Sequence, residues 1–393
     1  MKKSLVAFAV SGACIAAAHA QTNVTIYGII NPSVTYTDTV AAPNAANARA
    51  TGSRLSLDTA VLQGSRIGFK GSEELGGGLK AVFTLESGFN ADTGVLAQGG
   101  LIFGRTAIVG LSDATAGTLL LGRQKDYIDD LALYNGALDF GSMVNNIHAL
   151  NLDRTQGSRI NNSIRYNSPK MNGFTLSGLY GFGEQAGSAP SGQSLGVGGK
   201  YENGPLSVGA AYFQSKLAAN GSVSGSSDAG IAVGALNGRA GDTALKTFLI
   251  GASYQAGPAR LYGSFSQVKQ PLASAAGTVM PTAFSAVSGG AFAFGGINNS
   301  KVNLLDLGIT YSLTPTTLLM GNVVTTRSKF INAADGKATQ VTLGIDYFLS
   351  KRTDVYLFYA NLRASNMYSP GLYVAPGASN AQNVVTTGIR HKF

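Results

Sequence analysis

The sequence predicts an all-β fold, a 16-stranded antiparallel transmembrane β-barrel. Three observations carry that reading. Strand-like segments of about ten residues, rich in Val, Ile, Thr, Tyr, Phe and Leu, run the whole length of the chain. Short turns and long loops alternate between them. Many segments place apolar residues on one face and Arg or Lys on the other. No apolar stretch after the amino-terminal segment reaches the roughly 18 residues that a spanning helix needs.

The first segment is set apart from the barrel. Lys2 and Lys3 precede an apolar run from Leu5 to Ala18, and Ala18-His19-Ala20 supplies small residues for cleavage. Residues 1–20 are therefore expected to be a signal peptide, and residues 21–393 one barrel domain. Cys14, the only cysteine, lies inside that signal. Ser11-Gly12-Ala13 lacks the usual Leu of a lipid-anchoring signal, so disulfide and thiol chemistry are not expected. The formal charge is +9, and removing Lys2 and Lys3 leaves +7.

The elements follow in order. Val24–Asp38 is the first strand and Ala41–Gly52 the first long loop. Ser53–Glu74 and Leu79–Asn90 flank a turn rich in glycine, Leu75-Gly76-Gly77-Gly78. Leu101–Ser112 and Gly117–Lys125 flank Asp113-Ala114-Thr115-Ala116. After a long third loop, Asp126–Gly157, come Ser158–Asn167 and Phe174–Glu184 around Pro169 and Gly173. Ser194–Glu202 and Leu206–Lys216 flank Asn203-Gly204-Pro205. Leu245–Gln255 and Ala259–Lys269 flank Ala256-Gly257-Pro258. Asn303–Leu313 and Thr316–Lys329 flank Thr314-Pro315. Lys337–Ser350 and Thr353–Arg363 flank Lys351-Arg352, and Asn383–Phe393 closes the set. Gly, Pro and Asn supply the geometry of tight turns. Seven short turns and eight longer loops join sixteen strands, with one plain rim and one elaborated rim.

Period-two alternation gives the strands two faces. In Arg66–Lys70, Ile67 and Phe69 oppose Arg66 and Lys70. In the sixth strand, Ile160, Ile164 and Tyr166 share a face with Asn162, opposite Arg159, Asn161, Ser163 and Arg165. The last strand sets Val385, Thr387, Ile389, His391 and Phe393 against Arg390 and Lys392. Lipid outside and water inside accommodates such a pattern. Thr118–Arg123 and Asp354–Leu362 are apolar on both faces, which suits packing against a neighbouring subunit or an inserted loop.

Chemistry-bearing patterns are sparse. Only His148 and His391 follow the signal, and there is no G-x-S-x-G, H-E-x-x-H or phosphate-binding loop. No enzyme, cofactor or metal site is expected. Glu73-Glu74 reads as a solvated turn pair. Basic residues stand singly along strands without a lysine-rich run, which disfavours nucleic acid as a partner.

Several patches carry a resemblance. They are Val24-Thr25-Ile26-Tyr27-Gly28, the run from Ser65-Arg66-Ile67-Gly68-Phe69-Lys70-Gly71-Ser72-Glu73-Glu74-Leu75-Gly76-Gly77-Gly78 to Ala81, and Phe103-Gly104-Arg105. Others are Gly122-Arg123-Gln124, Ile164-Arg165-Tyr166-Asn167-Ser168-Pro169 and the terminal Gly388-Ile389-Arg390-His391-Lys392-Phe393. Across the whole chain it resembles the trimeric general diffusion porins of the beta-proteobacterial outer membrane. The resemblance implies a homotrimer and a third loop folded into the lumen. It also implies passive diffusion of small hydrophilic solutes and ions. Outer-membrane lipid and lipopolysaccharide would surround the barrel, and the barrel assembly machinery would read Phe393.

Leu138-Asp139-Phe140-Gly141 is similar to the family's acidic loop tip, with Leu138 and Asp139 where Pro and Glu are usual. Asp139 is thus expected to oppose a basic wall, with Asp126, Asp129 and Asp130 further along the loop; solvated acids on a surface loop are the alternative. Arg66, Arg105 and Arg165 are expected to form the basic wall, with Arg54, Lys70, Arg123 and Arg159 as outer members. Three fixed guanidinium charges against one or two carboxylates predict an anion preference. The competing functional reading is a substrate-specific channel or an adhesin acting through its loops.

Overall fold

The computed structural model describes residues 23–41, 51–148, 153–216, 244–269, 299–330, 335–365, 371–372 and 380–393. The expected signal peptide and most of the long loops lie outside these residues. One sheet of eighteen extended segments forms the wall, and each neighbouring pair is antiparallel. Two strands consist of two segments each, so the wall has sixteen strands.

Strand β1 comprises Asn23–Ile30 and Pro32–Ala41, and β2 comprises Thr51–Thr59 and Arg66–Gly76. Next come β3 (Leu79–Gly88), β4 (Thr106–Asp113), β5 (Gly117–Lys125), β6 (Arg159–Asn167) and β7 (Phe174–Gly181). They are followed by β8 (Ser194–Asn203), β9 (Leu206–Lys216), β10 (Ala244–Ala256), β11 (Ala259–Lys269) and β12 (Asn299–Thr314). The set ends with β13 (Thr317–Phe330), β14 (Gly336–Phe348), β15 (Thr353–Ser365) and β16 (Ala381–Lys392).

The ladder closes between the last strand and the first. Strand β16 pairs with both halves of β1, from Val384↔Thr37 to Ile29↔Lys392. Gly28 and Phe393 exchange two main-chain hydrogen bonds of 3.1 Å, so the final residue completes the seam. Closure pairs the two edge strands with each other, as a bilayer core requires of a spanning sheet. The expected fourth strand began at Leu101, whereas β4 begins at Thr106. Turns at Gly100 and Gly104, bonded to Ala97 and Leu101, hold the chain out of the ladder there.

Alternation sorts the faces. On β12, Leu305, Leu307 and Ile309 are exposed, while the alternate residues Leu304 and Asp306 are each 1% exposed. The apolar, exposed set faces outward and the other set inward. On β16, Val385, Ile389 and Phe393 are outward and Arg390 is buried against Asp354 and Asp346, as the alternation predicted. Exposed Tyr166, Phe174, Tyr254, Tyr311, Tyr347 and Phe393 all lie at the short-turn rim. Such a girdle places amphipathic rings where hydrocarbon meets headgroups.

The apolar core lies inside the barrel. The third loop carries one turn at Asp129–Tyr134, a four-residue helix at Ala137–Phe140 and another turn at Gly141–Val144. Its Tyr127, Ile128, Leu131 and Tyr134 pack with Ile160, Leu179, Phe213 and Leu249. Its Phe140, Met143, Val144 and Ile147 pack with Val61, Leu62, Tyr356 and Phe358. This explains why β15 is apolar on both faces. Leu357 and Tyr359 face outward, while Tyr356 and Phe358 receive Phe140, whose ring centroid lies 5.3 Å from that of Phe358. That pattern therefore supports an inserted loop and does not speak for a subunit interface.

Two sequence expectations fail at irregular backbone. Ser53–Glu74 was expected to be continuous, but residues 60–65 leave the ladder between the halves of β2, where Ala60 has φ +64°. Asn31, at the break in β1, ties the two breaks together. Its carboxamide oxygen accepts from the Leu62 and Gln63 amides, and its nitrogen donates to Tyr356 and to the Ile389 carbonyl. Ile160 was expected beside Tyr166 on the lipid face. A register shift between Gly122 and Gln124, with Asn162 at φ +49°, turns Ile160 inward to the loop, where it is fully buried.

Candidate functional site

The third loop is held against the inner wall by short side chains on the strands and by ionic anchors. A Cβ on Gly251 would lie 2.5 Å from the Cβ of Tyr134, and one on Gly344 would lie 2.9 Å from the Phe140 ring. These strand positions admit the loop only as glycine. At the loop's start, Asp126 caps the Ile128 amide at 2.8 Å and pairs with buried Arg154, which stacks 3.7 Å from the Phe213 ring centroid. At its tip, Asp139 accepts 2.6 Å hydrogen bonds from Arg260 and Thr310 of the wall. Asp306 accepts from the Gly136 amide and from Asn322.

His148 closes the set of anchors. Its Nδ1 lies 2.6 Å from Asp153 and its Nε2 3.0 Å from Asp306. Burial opposes charge on the imidazole, but the two carboxylates outweigh it and raise the pKa to about 10. Asp139 is pushed above the usual carboxylate range by burial, with Arg260 pulling the other way. Charges so placed hold the loop strongly, because removing one partner strands the other in a dry site.

The segment 60–65, which leaves the ladder between the halves of β2, meets the loop directly. Ser142 donates through its amide to the Val61 carbonyl and through its hydroxyl to Ala60. Beside this contact a cavity of about 400 Å³ stays open, lined by wall residues Arg66, Arg105, Arg159 and Lys125 and by the loop. The arginines are oriented alike. Arg66 Nε donates to the Gly64 carbonyl at 2.8 Å, Arg105 Nε to Glu86 at 2.6 Å, and Arg159 Nε to the Arg105 carbonyl at 3.1 Å. Their terminal Nη groups make no hydrogen bond to protein among the described residues. Anchoring through Nε fixes each plane and turns the Nη groups toward the cavity, with Arg66 Nη1 within 4.0 Å of Glu86.

Two carboxylates temper these four cations. Glu86 sits between Arg105 and Arg66, 4.0 Å from the latter, and accepts from Tyr27 at 3.0 Å. Asp129 pairs with Lys125 at 2.7 Å. Four positive groups less two negative ones leave +2 at the cavity.

The sequence-derived assignment is thus partly rearranged. Arg66 and Arg105 line the cavity, and Arg159 joins them there. Arg165 does not: it is paired with Asp130 and with the Lys125 carbonyl, beside the Tyr127 ring, and anchors the loop's entry. Arg54 pairs with Asp58 at 3.7 Å on the first half of β2. Lys70 lies 5.5 Å from the Tyr27 ring centroid, and Arg123 bonds to Asn161 and the Gly104 carbonyl. None of these three lines the cavity.

Of the expected acids, only Asp129 does. Asp126 and Asp130 are taken up by Arg154 and Arg165. Asp139 is 7% exposed and turned into the wall, because Arg260 outcompetes water for it. Leu138, 50% exposed, occupies the tip of the loop instead. Glu86 and Lys125 were missed. Glu86 stands at an inward position of β3, two residues from Gly88, so a single inward carboxylate between two inward arginines was the available signal.

The chain is similar to known proteins over its whole length. A family model described as Gram-negative porin matches residues 5–367. An outer membrane porin protein of Bordetella pertussis is 30% identical over 422 aligned positions, covering all of both chains. Outer membrane porin protein 32 of Delftia acidovorans is 33% identical over 408 positions, again with full coverage of both. Among solved structures, an anion-selective porin from Comamonas acidovorans superimposes with a TM-score of 0.69 at 29% identity, covering 95% of this chain and 100% of that one.

Proposed function

The chain belongs to the Gram-negative porin family, and we propose that the cavity beside its third loop is the constriction of an anion-preferring channel. It is a multi-pass protein of the Gram-negative outer membrane, and it serves passive diffusion of small hydrophilic solutes and ions. The observation that carries the anion preference is the imbalance of charge: Arg66, Arg105, Arg159 and Lys125 against Glu86 and Asp129. Like charges in a narrow aqueous passage with low-dielectric walls gather counter-ions. The anion selectivity of the Comamonas porin supports the same sign.

The reading extends to the rest of the chain. Residues 1–20 act as the export signal, and residues 21–393 fold as the barrel. Three copies assemble as a homotrimer, outer-membrane lipid and lipopolysaccharide contact the apolar band, and the barrel assembly machinery reads Phe393. Catalysis, cofactors and nucleic acid have no part in it. The test is the reversal potential of the purified channel across a potassium chloride gradient in a planar bilayer. A potential of chloride-selective sign is expected, larger at low salt. A cation-selective sign would sink the assignment.

A further inference from the structure

The outer surface of the barrel carries a row of like charges. Lys246 on β10, Lys269 on β11, Lys301 on β12 and Lys329 on β13 stand directly opposite one another, each in register with the next. Each stands an even number of residues from an exposed apolar side chain on its own strand, Phe248, Phe265, Leu305 and Val323 in turn. The row therefore points outward, away from the channel. One step nearer the membrane, Arg327 and Lys337 face each other across β13 and β14. Neighbouring strands lie about 4.8 Å apart, and like charges directly opposite destabilise a sheet. Asp335, at the start of β14, is the one carboxylate among the described residues at these strand ends.

The row lies at a definite height. On β12, Lys301 stands ten residues from Tyr311, a member of the aromatic girdle at the short-turn rim. Ten residues rise about 33 Å along a strand, or about 25 Å of height at a tilt of about 40°, which matches an apolar band. The lysines thus meet the headgroups of the outer leaflet. Just below them the wall is hollowed over about 320 Å³, lined by Phe265, Asn303 and Leu305 and by Thr325, Arg327 and Lys337. Cations border this hollow, and hydrocarbon forms part of its floor.

We propose that this sector of the wall is a binding site for an acylated lipid carrying two phosphates; it rests on the lipid contact read above and gives that contact a fixed place. The four lysines span three strand spacings, about 14 Å, too wide for one phosphate and enough for two. One phosphate would lie between Lys246 and Lys269. The other would lie between Lys301 and Lys329, with Arg327 and Lys337 below it. An acyl chain would fill the hollow against Phe265 and Leu305. Bound phosphate also offsets the repulsion within the row.

The experiment titrates the purified channel, in a neutral detergent at fixed ionic strength, with a fluorescent acylated disaccharide bearing two phosphates, one or none. Binding is read by anisotropy. Loss of one phosphate is expected to weaken binding about tenfold, the factor of one charge-assisted contact. Lys269→Gln together with Lys301→Gln should weaken binding of the two-phosphate lipid about thirtyfold, the factor of two cations at a charged interface. In lipid-free detergent the same double variant should melt higher than the wild type, because it relieves the row. Its reversal potential should match the wild type, because both side chains face away from the channel. Lys170→Gln together with Lys351→Gln, an equal change of charge among exposed residues of the short-turn rim, should bind as the wild type does. Equal binding of the three lipids, undiminished binding by the first double variant, or an equal loss in the second would overturn the proposal. Displacement of the lipid by inorganic phosphate at equal concentration would overturn it in favour of a site for free anions. Trimers that dissociate in the first double variant, with no lipid bound to the wild type, would overturn it in favour of an interface between copies of the chain. A channel without anion preference would leave this site standing, since the two readings share no residue.

Discussion

Replacing Glu86 by Gln should deepen anion selectivity, and it separates the observed charge arrangement from the one the loop sequence suggests. Gln keeps the shape and the oxygen that accepts from Arg105, but the charge at the cavity rises from +2 to +3. At about 6 Å in water one unit charge acts on an ion with roughly 0.7 kcal/mol. Screening at 0.1 M salt lowers this to about 0.4 kcal/mol. Potassium and chloride feel it with opposite sign, so their permeability ratio should change by about 0.8 kcal/mol, roughly fourfold. At 1 M salt the same reasoning leaves only about 1.4-fold. Asp139→Asn should give a much smaller shift, since Asp139 is buried and paired with Arg260 rather than presented to the passage. Reversal potentials in two tenfold potassium chloride gradients, one low and one high, read these changes directly. A larger shift from Asp139→Asn than from Glu86→Gln, or a Glu86→Gln shift that grows with salt, would refute the placement of charges.

Four further outcomes are expected. Deleting Phe393 removes the two main-chain bonds to Gly28 and the terminal aromatic, so outer membranes should hold less of the folded, heat-modifiable species; normal accumulation would count against that role. Unheated detergent extracts should run on native gels near the size of three chains, and a monomer in every detergent would exclude the homotrimer. The folded pKa of His148 lies above its unfolded value near 6.5, so its contribution to stability is full below about pH 6.5 and lost as pH rises through about 10. Melting temperature should therefore fall across that window, and His148→Gln should flatten the slope; parallel profiles would show that the latch is not titrating. Finally, Gly251→Val would drive a side chain into Tyr134 and should cost about 1–3 kcal/mol by overpacking, seen as a lower melting temperature together with higher single-channel conductance as the loop is displaced; unchanged conductance would show that the loop does not set the width of the neck.

The sequence by itself determined the wall. Period-two alternation in strands such as Asn303–Leu313 and Asn383–Phe393, and the Gly, Pro and Asn turns between hairpins, are local properties, because each side chain's face follows from its neighbours two residues away. Strand number, order and the outward apolar band were legible on that ground, and Arg66 and Arg105 could be found as inward guanidinium groups. What lies inside the barrel was decided by the tertiary structure. Whether Asp139 faces the passage depends on Arg260 and Thr310, which stand more than a hundred residues away and become its partners only once the barrel has closed. The same holds for Arg165 with Asp130, for Ile160 turned by a register shift, and for the break at residues 60–65 that Asn31 secures. The choice among partners for a charged group is an energetic competition in a confined, partly dry space. A strand pattern states which face a charge occupies; only the folded loop states which charge is left to meet the ion.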